Sequence, residues 1–127
     1  MGREVVRTSG APQAVGPYSQ GVKAGGWLFL SGQIPLHPGT GELVGDSIEE
    51  QTERVLENVK ALLAAAGMSL EDVVQCTVYM TDLSEFGSMN QVYARYFPQD
   101  PPARVTVGVA SLPKGAKIEI SLVAFHS

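Results

Sequence analysis

Two residues near the end of the chain carry chemistry that their surroundings do not explain. In the stretch PARVTVGVASLPKGAKIEISLVAF (102–125), Arg104 opens one β-branched run and Glu119 sits inside a second, fifteen positions later. A planar guanidinium grips a carboxylate through two parallel hydrogen bonds, and a half-buried carboxylate is a suitable base for water. The pair therefore reads as an anion anchor and a water activator sharing one pocket. The bland alternative is structural: Arg104 at a strand end facing solvent or an acid, Glu119 in a salt bridge with Arg104 or Lys117. The residue types leave both open.

Four further residues are weaker candidates. Asn90 falls on or beside the apolar face of a helical segment, where an asparagine usually ties down a neighbouring loop. Tyr18 follows Gly16-Pro17, which fix the backbone around it. Ser31 precedes Gly32 at a strand end, a place where backbone N–H groups can face a ligand. Cys76 alternates with Val74, Val78 and Met80 and reads as core rather than nucleophile. One cysteine and two histidines, His37 and His126, make a poor ligand set for a metal.

These residues must be held by elements that the pattern of the chain supplies. EVVRT (4–8) reads as a short strand, and GVKAGGWLFLSG (21–32) as a hairpin turning at Gly25-Gly26. APQAVGPYSQ (11–20) and QIPLHPGTGELV (33–44) read as loops, broken by proline and glycine. From Ile48 to Ala66, apolar residues and Thr52 recur at helical spacing through five turns, with Asp46 or Ser47 as the cap and Gly67 as the stop. VVQCTVYMT (73–81) reads as a central strand. A second helix is expected from about Ser84 to Phe97, burying Phe86, Met89, Tyr93 and Phe97. The order is β-β-β-α-β-α-β-β, and two amphipathic helices can cover one face of a sheet of about six strands, an α+β architecture.

In that sheet, alternation in the first terminal strand sets Val105, Val107 and Val109 against Arg104, Thr106 and Gly108. In the last it sets Ile118, Ile120, Leu122 and Ala124 against Lys117, Glu119, Ser121, Val123 and Phe125. The purely apolar sets are expected beneath the helices. The mixed sets, joined by Trp27 and Phe29, are expected on a bare face that associates with identical subunits, with Arg104 and Glu119 near the seam.

The chain as a whole has 127 residues and 13.5 kDa, enough for one domain (1–127) with a real core. No apolar run approaches the ~20 residues of a membrane helix. MGREVVRT has no apolar signal core and Val6 stands where a myristoylation pattern wants Ser or Thr, so a cytoplasmic location is expected. A net charge of −4 with nine scattered basic residues argues against a nucleic-acid surface.

Taken together these segments resemble the Rid family, the reactive intermediate deaminases, also called the YjgF family. The likeness runs through AVGPYSQGV (14–22), FLSGQIP (29–35), TGELV (40–44), QTERVLENVKALLAAAGMSLEDVVQCTVYMTDLSEF (51–86), MNQVYARYF (89–97) and PARVTVGVASLPKGAKIEI (102–120). The resemblance implies a chorismate-mutase-like α+β fold and a homotrimer with sheets inward, helices outward and sites in clefts between subunits. It implies hydrolysis of 2-iminobutanoate and 2-iminopropanoate to 2-oxo acids and ammonia, with no metal or cofactor. By the family's motif Arg104 would hold the substrate carboxylate and Glu119 would orient or activate water. Tyr18, Ser31, Gly32 and Asn90 would line the site. Thr106 departs from a common pattern, since many members carry cysteine there; imine hydrolysis needs no thiolate. The alternatives are a non-catalytic binder of oxo or amino acids, another reaction in the same fold, and the endoribonuclease or translation-inhibitor activity by which relatives are sometimes labelled.

Overall fold

The computed structural model describes residues 2–127. Its elements are β1 (Arg3–Val6), β2 (Gly21–Ala24), β3 (Trp27–Gln33), α1 (Ile48–Ala65), β4 (Val73–Met80), α2 (Phe86–Tyr96), β5 (Ala103–Gly108) and β6 (Ile118–Phe125), in the expected order. They form one mixed sheet ordered β1-β2-β3-β6-β4-β5, in which only β4 and β5 run parallel. The last strand is thus inserted between β3 and β4, while β5 is left at an edge. Among the described residues no helix is long and apolar enough to cross a membrane.

Helix α1 begins where its sequence can satisfy the first free N–H groups. The Ser47 hydroxyl accepts from Glu50 N–H, and Glu50 reaches back to the Ser47 backbone. It ends at Ala66, beyond which Gly67 takes φ +76°, a left-handed turn that glycine adopts without strain. Val55, Leu56, Val59, Leu62 and Leu63 on its inner face are fully buried. They meet Leu28, Cys76, Val78, Met80, Ile118, Ile120 and Ala124 from the sheet, which are fully buried as well.

The second face of the sheet is uncovered in the single chain. Register aligns Ser121, Thr77 and Val105 in one row and Glu119, Tyr79 and Val107 in the next. Beside them the Trp27 and Phe125 rings pack at a tilt with centroids 4.7 Å apart, and Phe29 pairs with Val123. Trp27, Phe29, Val105, Val107 and Phe125 are all exposed.

One strand is turned over relative to the sequence reading. Val105 and Val107 lie on the open face, and Arg104 and Thr106 point toward the helices. Parallel pairing dictates this: Arg104 stands abreast of Cys76 and Thr106 abreast of Val78, both buried under the helix layer. Two smaller differences concern element ends. The first strand is Arg3–Val6, and α2 starts at Phe86 after a 3-10 turn (Leu83–Glu85) whose Asp82 cap accepts from Ser84 N–H. Phe86 is 38% exposed rather than core.

Candidate functional site

The expected site residues fall into two groups on opposite sides of the sheet. Glu119, Tyr18, Ser31 and Gly32 line one cavity of about 570 Å³, whose other walls include Pro12, Val15, Ile34, Leu36, Pro113 and Lys114. Arg104, Asn90 and Thr106 lie elsewhere, between β5 and α2.

Local distortion of β3 makes room for the acid. Where β3 pairs with β6 the register shifts between Leu30 and Gln33, so Ser31 and Gly32 form an irregularity beside Glu119. A Cβ added at Gly32 would collide with the Glu119 carboxylate; only glycine leaves that space. The carboxylate has neither a salt bridge nor a hydrogen bond to another described residue, and Lys117, its possible structural partner, instead approaches Glu85 at 3.8 Å. Burial alone pushes the Glu119 carboxyl above the usual glutamate value. An isolated, partly desolvated carboxylate of this kind takes a proton more readily than a solvated one.

The cavity wall opposite β6 is a loop pinned from inside. Gln20, 4% exposed, accepts from Thr8 N–H at 2.8 Å and donates to the carbonyls of Thr8, Ala11 and Pro12. Ser31 joins the same anchorage: its N–H donates to Gln20 O at 3.0 Å and its hydroxyl to Ser19 O at 2.6 Å. Both of its protons therefore serve the loop, and what Ser31 offers a ligand is a lone pair of its hydroxyl. The Tyr18 hydroxyl accepts from Val15 N–H at 3.2 Å and keeps its own proton to donate. Lys114, with a left-handed φ of +59°, donates to Gly41 O at 3.0 Å and links the two loops at the cavity's rim.

On the helix side, Arg104 Nη1 donates to Asn90 Oδ1 at 2.8 Å. Its Cζ lies over the Tyr93 and Phe86 rings, 4.8 and 5.3 Å from their centroids. Asn90 thus ties down the arginine rather than a loop. The hydroxyls of Thr106 and Tyr93 are buried without a hydrogen-bond partner, and burial raises both the Tyr93 phenol and the neighbouring Cys76 thiol above their ordinary values. Cys76 is fully buried, as its alternation indicates. Among the described residues no group of three or more His, Cys, Asp and Glu side chains could hold a metal.

The two groups are well separated within one chain. Glu119 and Val107 both flank Tyr79, so Glu119 lies two strands from β5 and three residues along from Arg104. Strand geometry gives a Cα separation of about 14 Å, with the side chains projecting to opposite faces. Sequence reasoning missed Phe86 and Tyr93 as neighbours of the arginine. Their spacing with Asn90, i, i+4 and i+7, was available but matches an ordinary core stripe.

Comparison with known proteins gives a consistent result. A RutC family protein of Pyrococcus horikoshii is 54% identical over 123 residues, covering 97% of this chain and 98% of that one. Reactive Intermediate Deaminase A, chloroplastic, of Arabidopsis thaliana is 49% identical over 122 residues, covering 96% of this chain and 65% of its own. The crystal structure of E. coli TdcF with bound serine superposes with a TM-score of 0.93 at 45% identity, covering 98% of this chain and 99% of the other. The family model described as Endoribonuclease L-PSP matches residues 8–126, and the chain belongs to this family, the Rid/YjgF family.

Proposed function

We propose that this protein hydrolyses small 2-imino acids, of the 2-iminobutanoate and 2-iminopropanoate type, to 2-oxo acids and ammonia. The sites would be completed between neighbouring chains of a homotrimer. The observation that carries the reading is the Glu119 carboxylate, lodged over Gly32 at a cavity wall with no partner and with its proton affinity raised by burial. Two relatives support the substrate class: one is named a reactive intermediate deaminase, and another was crystallised with serine, a small amino acid.

Sharing between chains follows from the size of the substrate. In a 2-imino acid the carboxylate and the C=N carbon are bonded neighbours, so their protein partners must converge within a few ångströms. Arg104 and Glu119 of one chain stand on opposite faces of the sheet. A neighbour that set the edge between its β5 and α2, where Arg104 lies, against this chain's cavity would supply the missing cation. The exposed Trp27, Phe29, Val105, Val107 and Phe125 favour such association.

Arg104 then holds the carboxylate by charge-assisted hydrogen bonds. Water adds to the protonated imine carbon as Glu119 takes its proton, giving a neutral carbinolamine. Glu119 returns that proton to nitrogen; the C–N bond breaks as ammonia leaves, the carbonyl forms, and the hydroxyl proton passes to solvent. Tyr18 donates to the reacting nitrogen or oxygen, and Ser31, Gly32, Asn90 and Thr106 shape the site.

The test couples a threonine dehydratase to this protein and follows loss of the imine by semicarbazide trapping. Wild type should accelerate it. Arg104→Ala should weaken apparent substrate binding by about 10- to 150-fold, the value of a charge-assisted hydrogen bond. An Arg104→Ala protein as active as wild type would contradict the mechanism. The serine in a relative also favours a second reading, non-catalytic binding of a small metabolite; saturable binding of an oxo or amino acid without any turnover would select it.

A further inference from the structure

Arg104 is held without being neutralised. Every described contact of its guanidinium is uncharged: the Asn90 amide oxygen at 2.8 Å, and the Tyr93 and Phe86 rings, whose centroids lie 4.8 and 5.3 Å from Cζ. Phe86, Asn90 and Tyr93 lie at i, i+4 and i+7 on α2, so one helix face presents an aromatic, an amide and an aromatic in succession. The spacing also accounts for Phe86, a large aromatic that the fold leaves 38% exposed although Met89 on the same helix is fully buried.

We infer that Phe86, Asn90 and Tyr93 form a charge-neutral cradle whose task is to position Arg104 for an incoming carboxylate, Phe86 and Tyr93 being positioning residues of the anion clamp. The physical logic has two parts. A free arginine loses rotamer freedom when it is fixed, so rings and an amide that fix it beforehand leave less to be lost on binding. A carboxylate in the position of Asn90 would fix it equally well, but would occupy its charge and repel the ligand's. Amide and π faces hold the cation and leave its attraction for an anion intact. This inference rests on the reading of Arg104 as the substrate's carboxylate anchor.

The test measures binding of 2-oxobutanoate, the reaction's stable product, by calorimetry on the assembled protein, with thermal midpoints recorded for each variant. Phe86→Leu changes an exposed side chain and should weaken binding by about 3- to 10-fold. Asn90→Asp keeps shape and fold, supplies a carboxylate to Arg104, and should weaken binding by about 10-fold or more without lowering the midpoint, an outcome that loss of packing would not produce. If Arg104→Ala loses binding while Phe86→Leu and Asn90→Asp bind as wild type does, the cradle is wrong and the anchor stands. If Arg104→Ala itself binds as wild type, the anchor reading fails first.

Discussion

Gly32 and Glu119 are fitted to each other: the carboxylate occupies the space that any side chain at position 32 would need. The irregular pairing of β3 with β6 sets glycine at that point, and the acid is thereby kept at the cavity wall without a hydrogen bond to hold it. Gly32→Ala should therefore fold, since the atom it displaces ends a side chain, while pushing the carboxylate off its position. We expect kcat for imine hydrolysis to fall by about 10- to 100-fold with a near-native circular dichroism spectrum. Unchanged turnover in this variant would show that the placement of Glu119 is immaterial.

Glu119 should also trade stability for function. Its folded-state carboxyl binds a proton more tightly than the unfolded chain's. Between the ordinary glutamate value near 4.3 and the raised folded value, the folded protein therefore carries more protons. Stability must fall as pH rises through that window and stay lower above it. Glu119→Gln removes the charge, so its melting temperature should exceed wild type by about 1–3 °C at pH 7, a small effect because the group is partly solvated. Near pH 3 the difference should vanish. The same variant should lose at least about 100-fold in turnover. Paired thermal melts at the two pH values, with rates at pH 7, check both signs.

Gln20 is the post to which the cavity's loop wall is tied. Removing its amide by Gln20→Ala deletes four hydrogen bonds and strands the buried carbonyl of Ala11 and the partly buried one of Pro12. We expect a loss of about 2–4 kcal/mol of stability by chemical denaturation. Faster amide exchange should accompany it in residues 8–18, with little change in α2. Uniform loss of protection throughout the chain would mean that the loop is not an independent unit.

The helices were legible in the sequence because their signals are local. Ser47, Glu50 and Gly67 bound α1, and a one-sided apolar stripe fills it. Strand existence was equally plain, down to the Gly25-Gly26 turn between β2 and β3. The facing of β5 was not. Alternation separates Arg104 and Thr106 from Val105 and Val107, but says nothing about which set turns inward. The rule that apolar sets go under helices fails for a sheet whose open face is itself apolar. Facing was decided by register with β4, a relation between segments 28 positions apart, as in the pairing of Cys76 with Arg104. The division of the site had the same origin, because it depends on β6 entering the sheet between β3 and β4. Arg104 and Glu119 could be singled out by type and setting; that they face away from each other could not.

The most direct test of a site shared between chains mixes two impaired proteins. Arg104→Ala and Glu119→Gln, differently tagged and co-expressed, assemble at random into mixed particles. In the proposed trimer each site would take its arginine from one chain and its acid from the next, so in a particle that contains both variants roughly one site in three would receive both native residues. The account predicts that purified doubly tagged particles regain roughly a third of wild-type imine hydrolysis, well above either variant alone. Mixed particles no more active than their parents would contradict it.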